Sequence, residues 1–420
     1  MPHGRTPTSK YVLAAVFIAW IALVTLTQLH TTITQTHDFL NTHARDGHTT
    51  PTQAAYIKTI DDAYSNVLTY NAPFPFINRG SYINLNGYMA NAMGAKELNG
   101  VIKLSNGRHA QIIWVRDVTQ DVVQITKLSR YMDENGGSFL FVNAPSDFSV
   151  SNEEFPTGYR TFTNLNIDAH ITALQQNNVP TLDLRENALA QGLSPADLFF
   201  STDHHWTVKA GFWGYTQIIE RLTADRFFPK TDALATLTDV HNYHIETFHN
   251  VFLGSYGRRT GHYFSGLDDF DIFTPLFDTQ LTVTLFPGNE QKSGSFYDVC
   301  YSGYYDPHTE ALSHFVDRSW ENFYGYWQQA QQGTHYHNEN APVNKRVLVI
   351  GDSFTNFPNA FFALTFTDFA QIYFNRYHWD GSNFEQFVAE FAPELIIFLT
   401  SGQTVFGSYN VLPSYHWEVQ

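Results

Sequence analysis

Cysteine is almost absent: Cys300 stands alone among 420 residues, so the chain has no internal disulfide framework and no multi-cysteine zinc or iron–sulfur site. Charge is scarce too, at 15% of residues, and its positive half is short. The 24 Lys plus Arg against 40 Asp plus Glu leave a formal charge of −16. That balance argues against a broad surface for nucleic acid or another polyanion, so no nucleic-acid partner is expected. Low charge beside 43% hydrophobic residues excludes a disordered chain and leaves ample material for a core. No internal repeat is present, and the only biased tract is a Thr/His-rich stretch between residues 30 and 52 that reads as a stalk. No nucleotide, flavin or metal pattern is found, and no cofactor is expected.

What the chain does have is one long uncharged run. Residues 11–29 (YVLAAVFIAWIALVTLTQL) carry no charge over 19 positions. As a helix that run spans about 28 Å, close to the hydrocarbon thickness of a bilayer. Arg5 and Lys10 precede it and the next basic residue is Arg45, which places the N-terminus in the cytoplasm by the positive-inside rule. A cleaved signal peptide has a shorter apolar core and a small-residue cleavage site, and LVTLTQLHTT offers none. The sequence therefore predicts a single-pass cell-membrane protein in three parts. These are a cytoplasmic tail and transmembrane signal anchor over 1–30, a stalk with its lead-in over 31–80, and an extracytoplasmic globular domain over 81–420.

Within that domain, apolar spacing predicts an alternation of helices and strands. Residues 82–106 mix short apolar runs with Asn-Gly turn signals and are expected to form small strands and turns. Helical spacing follows over 118–133, 167–178 and 208–222, with short apolar strands at 138–143 (SFLFVN) and 180–184 (PTLDL). The C-terminal part repeats the scheme, with strands at 346–350 (RVLVI), 371–375 (QIYFN) and 394–400 (ELIIFLT) and a helix at 383–391. This pattern implies an α/β fold with a doubly wound, mostly parallel sheet and helices on both faces. Ligand sites of such sheets lie at the carboxyl ends of the strands.

Ser353 falls at such a strand end. In Gly351-Asp352-Ser353-Phe354 the serine follows the strand directly, so its Oγ stands above the sheet and a helix start supplies N–H groups for an oxyanion. An ordinary helix cap fits the tripeptide equally well. A second constellation, Thr202-Asp203-His204-His205-Trp206-Thr207, opens an amphipathic helix. A serine nucleophile needs a base, and the base needs a carboxylate to fix its tautomer. In an extended segment Asp203 and His205 point the same way and His204 points opposite. Adjacent His204 and His205 are a poor metal pattern, and His241, His244 and His249 read as solvated histidines. Asp268 and Asp269 read as a solvated turn, and Cys300 as a small packed hydrophobe.

Together these residues are familiar. Asp203-His204-His205-Trp206, Gly351-Asp352-Ser353-Phe354 and the glycine-rich Phe252-Leu253-Gly254-Ser255-Tyr256-Gly257-Arg258-Arg259-Thr260-Gly261 resemble the DHHW family, SGNH-hydrolase-like extracytoplasmic relatives of the alginate O-acetyltransferases. The resemblance runs from about residue 84 to residue 400. It implies an SGNH-hydrolase-like acyltransferase domain with Ser353 as nucleophile, His205 as general base and Asp203 orienting it. In ordinary SGNH hydrolases Asp and His lie three apart and follow the serine, whereas here they lie two apart and precede it. Oxyanion and substrate-binding candidates are the Ser353 N–H, Arg376, Gly254 and Arg258, with Trp206 among the aromatic residues able to face a sugar. The implied partners are a polytopic membrane-bound O-acyltransferase as acyl donor and a polysaccharide as acceptor. Three functions fit this reading: polysaccharide O-acetyltransferase, carbohydrate acetyl esterase, or a non-catalytic polysaccharide-binding or assembly factor on the same fold.

Overall fold

In the computed structural model the described residues are 79–146, 155–286, 290–300, 333–373 and 381–401. The apolar run 11–29 and the stalk lie outside them, as does Arg376 with residues 377–379. No helix among the described residues is long and apolar enough to cross a membrane. The chain divides into a unit ending at Leu85 and a unit from Asn86 onward. Of the first, only residues 79–85, the first half of helix α1 (Arg79–Ala92), are described.

The second unit holds three sheets. A small antiparallel one joins β1 (Glu97–Leu98), β2 (Val101–Lys103) and β3 (His109–Ala110). The central sheet draws on β4 (Ser138–Ala144) and β5 (Thr181–Asp183) early in the chain. A two-stranded ribbon, β6 (Tyr243–Phe252) with β7 (Asp268–Pro275), interrupts it in sequence. The central sheet then adds β8 (Leu281–Phe286), β9 (Gln291–Gly294), β10 (Gly333–His337), β11 (Val343–Gly351), β12 (Phe366–Tyr373) and β13 (Leu395–Ser401). Its order is β5-β4-β13-β11-β12-β10-β8-β9. The five strands from β5 to β12 are mutually parallel, and β10, β8 and β9 continue the sheet in antiparallel pairings.

Strand alternation divides the parallel part between two cores. Leu140, Val142, Val347, Val349, Leu395 and Ile397 pack on one face, beneath α4 (Val208–Ala224) and α6 (Asn356–Thr365). Phe139, Phe141, Leu348, Ile350, Ile396 and Phe398 pack on the other, beneath α2 (Thr119–Glu134), α3 (Thr163–Gln176) and α7 (Gly381–Phe391). Both faces are covered, so β11 and β13 read as continuous apolar runs. α5 (Ser255–Thr260) lies in the glycine-rich segment.

Two expectations change. Residues 82–92 are helical rather than strand and turn. Their Asn and Gly content disfavours a helix locally, and packing overrides it: a Cβ on Gly87 would lie 2.1 Å from the Thr260 carbonyl oxygen, an approach only glycine permits. The strand expected at 371–375 begins at Phe366, where it pairs with Val343 of β11, and is described to Tyr373, with Asp368–Ile372 also paired to β10, a partner with no local signature.

Candidate active site

The serine side is built at the end of β11. Gly351 pairs with Leu399 of β13 and Tyr373 of β12, and a Cβ there would lie 2.1 Å from the Leu399 carbonyl oxygen. Asp352 is fully buried and spends both oxygens on the turn. Oδ1 accepts from Phe354 N (2.8 Å), while Oδ2 accepts from Ser401 N (2.9 Å), Thr400 Oγ1 (3.0 Å) and Ser401 Oγ (3.2 Å). The carboxylate thus caps the 3-10 turn Ser353–Thr355 and ties it to the neighbouring strand end. Ser353 itself stays partly exposed.

The base side is irregular. Phe199 and Trp206 form an isolated bridge, and the residues between them bend. Asp203 and His205 meet, though not through the extended geometry expected. The chain turns so that Asp203 Oδ1 accepts both His205 N (2.9 Å) and His205 Nδ1 (2.5 Å). His205 Nε2 then lies 2.6 Å from Ser353 Oγ. Asp203 is 0% and His205 2% exposed. Burial alone would push the Asp203 carboxyl up, but His205, His204 and the donors from His205 and Ser255 outweigh it and hold the group ionised well below the usual carboxylate range.

The other predicted residues fall in different places. Trp206 is completely buried, donates Nε1–H to the Phe354 carbonyl (3.1 Å) and packs against Gly214, so its ring offers no face to a sugar and instead joins the two halves of the site. Gly254 does not serve as an oxyanion donor, because its N–H is given to Thr202 Oγ1 (2.9 Å). Its part is steric: a Cβ would lie 2.3 Å from Asp203 Cβ, so glycine lets this loop close over the carboxylate. Arg258 is half-buried on α5 with its Nε enclosed and without a hydrogen-bond partner among the described residues. Arg376 lies outside the described residues. Cys300 is buried, as expected of a small hydrophobe. His241 and His249 pair with Asp239 and Asp269 at the surface, each at 2.8 Å.

Three residues with roles at the site were misread or passed over. Asp268, expected in a solvated turn, is half-buried and accepts from Ser201 N (2.9 Å), Thr202 N (2.7 Å) and Thr202 Oγ1 (2.7 Å). Burial pushes its carboxyl up from the usual range while those donors pull it down. Ser255 donates its N–H to Asp203 Oδ2 (2.5 Å). His204 does not face away: its ring lies 3.9 Å from that of His205, and its Nδ1 lies 2.8 Å from Ser255 Oγ. Only the nearby glycines hinted at such approaches, since the partners lie 51 to 67 residues away in sequence. Asp203, His204 and His205 are also the one group among the described residues whose potential metal-ligand atoms cluster, and those atoms are engaged in this hydrogen-bond chain.

Solved structures share the fold. Bacillus cereus PatB1 is 18% identical, with 74% of this chain and 98% of that chain covered at a TM-score of 0.59. The same protein with a sulfonyl adduct gives a TM-score of 0.56 at 17% identity, covering 74% and 96%. A DHHW family protein from Eubacterium siraeum is 15% identical over 74% of this chain and 94% of that one, with a TM-score of 0.50. A comparison with curated protein sequences found no match. By sequence, residues 116–244, which include the whole Asp203–Trp206 segment, match the family model of the SGNH hydrolase-like domain of acetyltransferase AlgX.

Proposed function

We propose that this chain is a polysaccharide O-acetyltransferase working through an acyl-enzyme on Ser353. The observation that carries the reading is the unbroken chain Asp203 Oδ1, His205 Nδ1, His205 Nε2, Ser353 Oγ, buried at one end and reaching solvent at the serine. The match of residues 116–244 to an acetyltransferase model directs the reaction class toward acyl transfer.

The steps follow from that geometry. His205 Nε2 takes the Ser353 proton as Oγ attacks the acyl carbonyl, and Asp203 stabilises the imidazolium that forms. The Ser353 N–H has no acceptor among the described residues and opens the 3-10 turn, so it is free to donate to the oxyanion. Collapse of the tetrahedral intermediate breaks the bond to the donor's leaving group, which takes the proton from His205. A sugar hydroxyl then gives its proton to His205 and attacks the acyl-enzyme, and Ser353 leaves with that proton returned. Residues 11–29 would hold the domain at the outer face of the membrane, beside a polytopic O-acyltransferase that delivers the acyl group.

The test uses the full chain in detergent with an acetylated chromogenic ester and a polysaccharide acceptor, measuring free acetate and acetylated glycan separately. Acetyl on the glycan, lost in Ser353→Ala, supports the transferase. Acetate alone across varied acceptors makes the protein an esterase. No Ser353-dependent turnover of either kind, with the membrane partner supplied, overturns the enzymatic reading.

A further inference from the structure

Two imidazoles converge on Asp203 Oδ1. His205 Nδ1 lies 2.5 Å from it, and His204 Nδ1 lies 3.4 Å from the same oxygen while remaining 2.8 Å from Ser255 Oγ. An Nδ1 without a proton would turn its lone pair toward the carboxylate, whereas Nδ1–H turns a donor toward it. Electrostatics therefore places the proton on Nδ1, donated to Ser255 Oγ within the field of Asp203. The same Ser255 gives its backbone N–H to Asp203 Oδ2, so ring, serine and carboxylate form a closed cluster.

The groups facing the His204 ring are Asp203 and His205 from its own segment, Ser255, Tyr256, Arg258 and Arg259 from α5, and Phe354 from the serine turn. Burial, His205 and the two arginines all oppose a positive charge there and outweigh Asp203, so its value falls to about 3. The ring stays neutral while the stacked His205 takes up and releases a proton, which like-charge repulsion would otherwise resist.

We propose that His204 is a positioning residue for the general base: an imidazole, anchored by Ser255 and stacked on His205, that shares Asp203 Oδ1 with His205 and so sets the pH at which Ser353 becomes nucleophilic. This rests on the reading of Asp203, His205 and Ser353 given above. An N–H turned toward Asp203 partly neutralises the charge that His205 sees. Losing it strengthens the attraction within the Asp203–His205 pair and should move the pH–rate profile of Ser353 upward.

The experiment follows modification of Ser353 by phenylmethanesulfonyl fluoride, by intact mass, on the full chain between about pH 5 and about pH 9. Ser353→Ala should take no label and His205→Ala should label about a hundredfold more slowly; failure of either overturns the underlying triad instead. With those in place, His204→Phe, which keeps a ring and loses the N–H, should raise the midpoint of the pH–rate profile by about half a unit, a loss of about twofold at the wild-type midpoint. His204→Asn, whose amide N–H₂ takes the place of Nδ1–H, should restore the midpoint. Ser255→Ala removes the competing acceptor, turns the His204 N–H wholly to Asp203, and should lower the midpoint. That variant carries the test if His204→Phe does not fold. A folded His204→Phe with an unmoved midpoint, or a Ser255→Ala shift upward, overturns the proposal and leaves His204 a packing residue.

Discussion

The two halves of the site are held by opposite means. The serine turn continues a buried central strand, and its principal brace is its own neighbour, Asp352, bonded to the next strand. The Ser201–Trp206 segment has almost no regular structure and is held by remote groups. Asp268 takes its N–H groups, Ser255 binds Asp203, Arg108 donates to the carbonyls of Phe199 and Phe200, and His109 bonds the carbonyl of Ser201. Two hydrogen bonds among the described residues join this segment to the other half, His205 Nε2 with Ser353 Oγ and Trp206 Nε1–H to the Phe354 carbonyl. A nucleophile on a strand end thus inherits the sheet's rigidity, while a base in a bend depends on side chains gathered from elsewhere.

Chemistry should be lost from either side alike. Ser353→Ala, His205→Ala and Asp203→Asn are each expected to cut acyl transfer by about 10³- to 10⁴-fold, with thermal unfolding unchanged in Ser353→Ala, and the Ser353/His205 double variant should lose little more than Ser353→Ala alone. Additive losses in the double variant would show the two halves acting independently.

The braces should separate in stability. Asp352→Asn places an amide against three donors in a fully buried turn and should cost about 2–4 kcal/mol in urea unfolding. Asp268→Asn should cost about 1–3 kcal/mol and act mainly on the base side, with serine labelling reduced because His205 is displaced. Equal effects of both on unfolding and labelling would erase the distinction between the halves.

Acid should loosen the base side in particular. Burial lowers His109 from its usual value to about 4, so the folded form binds fewer protons than the unfolded chain. The stability this provides is present above about pH 6.5 and is lost as pH falls toward 4, by on the order of 3 kcal/mol for such a group. Buried His170 is lowered in the same way and adds a parallel loss away from the base segment. Replacing His109 with Gln, whose amide can still donate to Ser201 O, should flatten the acid limb of urea midpoints measured from pH 7 to pH 4.5, while an unchanged limb would clear His109 of the effect.

The smallest change is expected from Trp206→Phe. It keeps most of the packing, removes one donor to Phe354 O, and should cost about 1–2 kcal/mol, with labelling falling less than tenfold. A loss as large as Asp203→Asn would mean this one cross-link carries more of the alignment than the remote braces do.

Legibility followed the same divide. The strands around residues 346–350 and 394–400, the helices over 118–133 and 208–222, and a serine at a strand end were readable because apolar periodicity is a local property. Asp203, His204 and His205 were visible as residue types, but not that His204 would stack on His205 rather than face away. β8 (LTVTLF) alternates apolar residues with Thr and was passed over, the polar β9 and β10 left no such trace, and Asp268 looked like a surface turn because its donors lie 66 and 67 residues earlier.

By itself the sequence determined the parallel α/β core, the strand end that carries Ser353, and the residue types from which a base and its carboxylate are drawn. Those depend on side-chain spacing within a few turns or strand positions. Tertiary structure alone decided that Gly254 is a clearance and not an oxyanion donor, that Trp206 is an internal tie, that Ser255 and His204 contact Asp203, and that Asp268 anchors the two residues before Asp203. Each of these is an approach between segments far apart in the chain, and such approaches are set by the packing of the whole sheet and its loops.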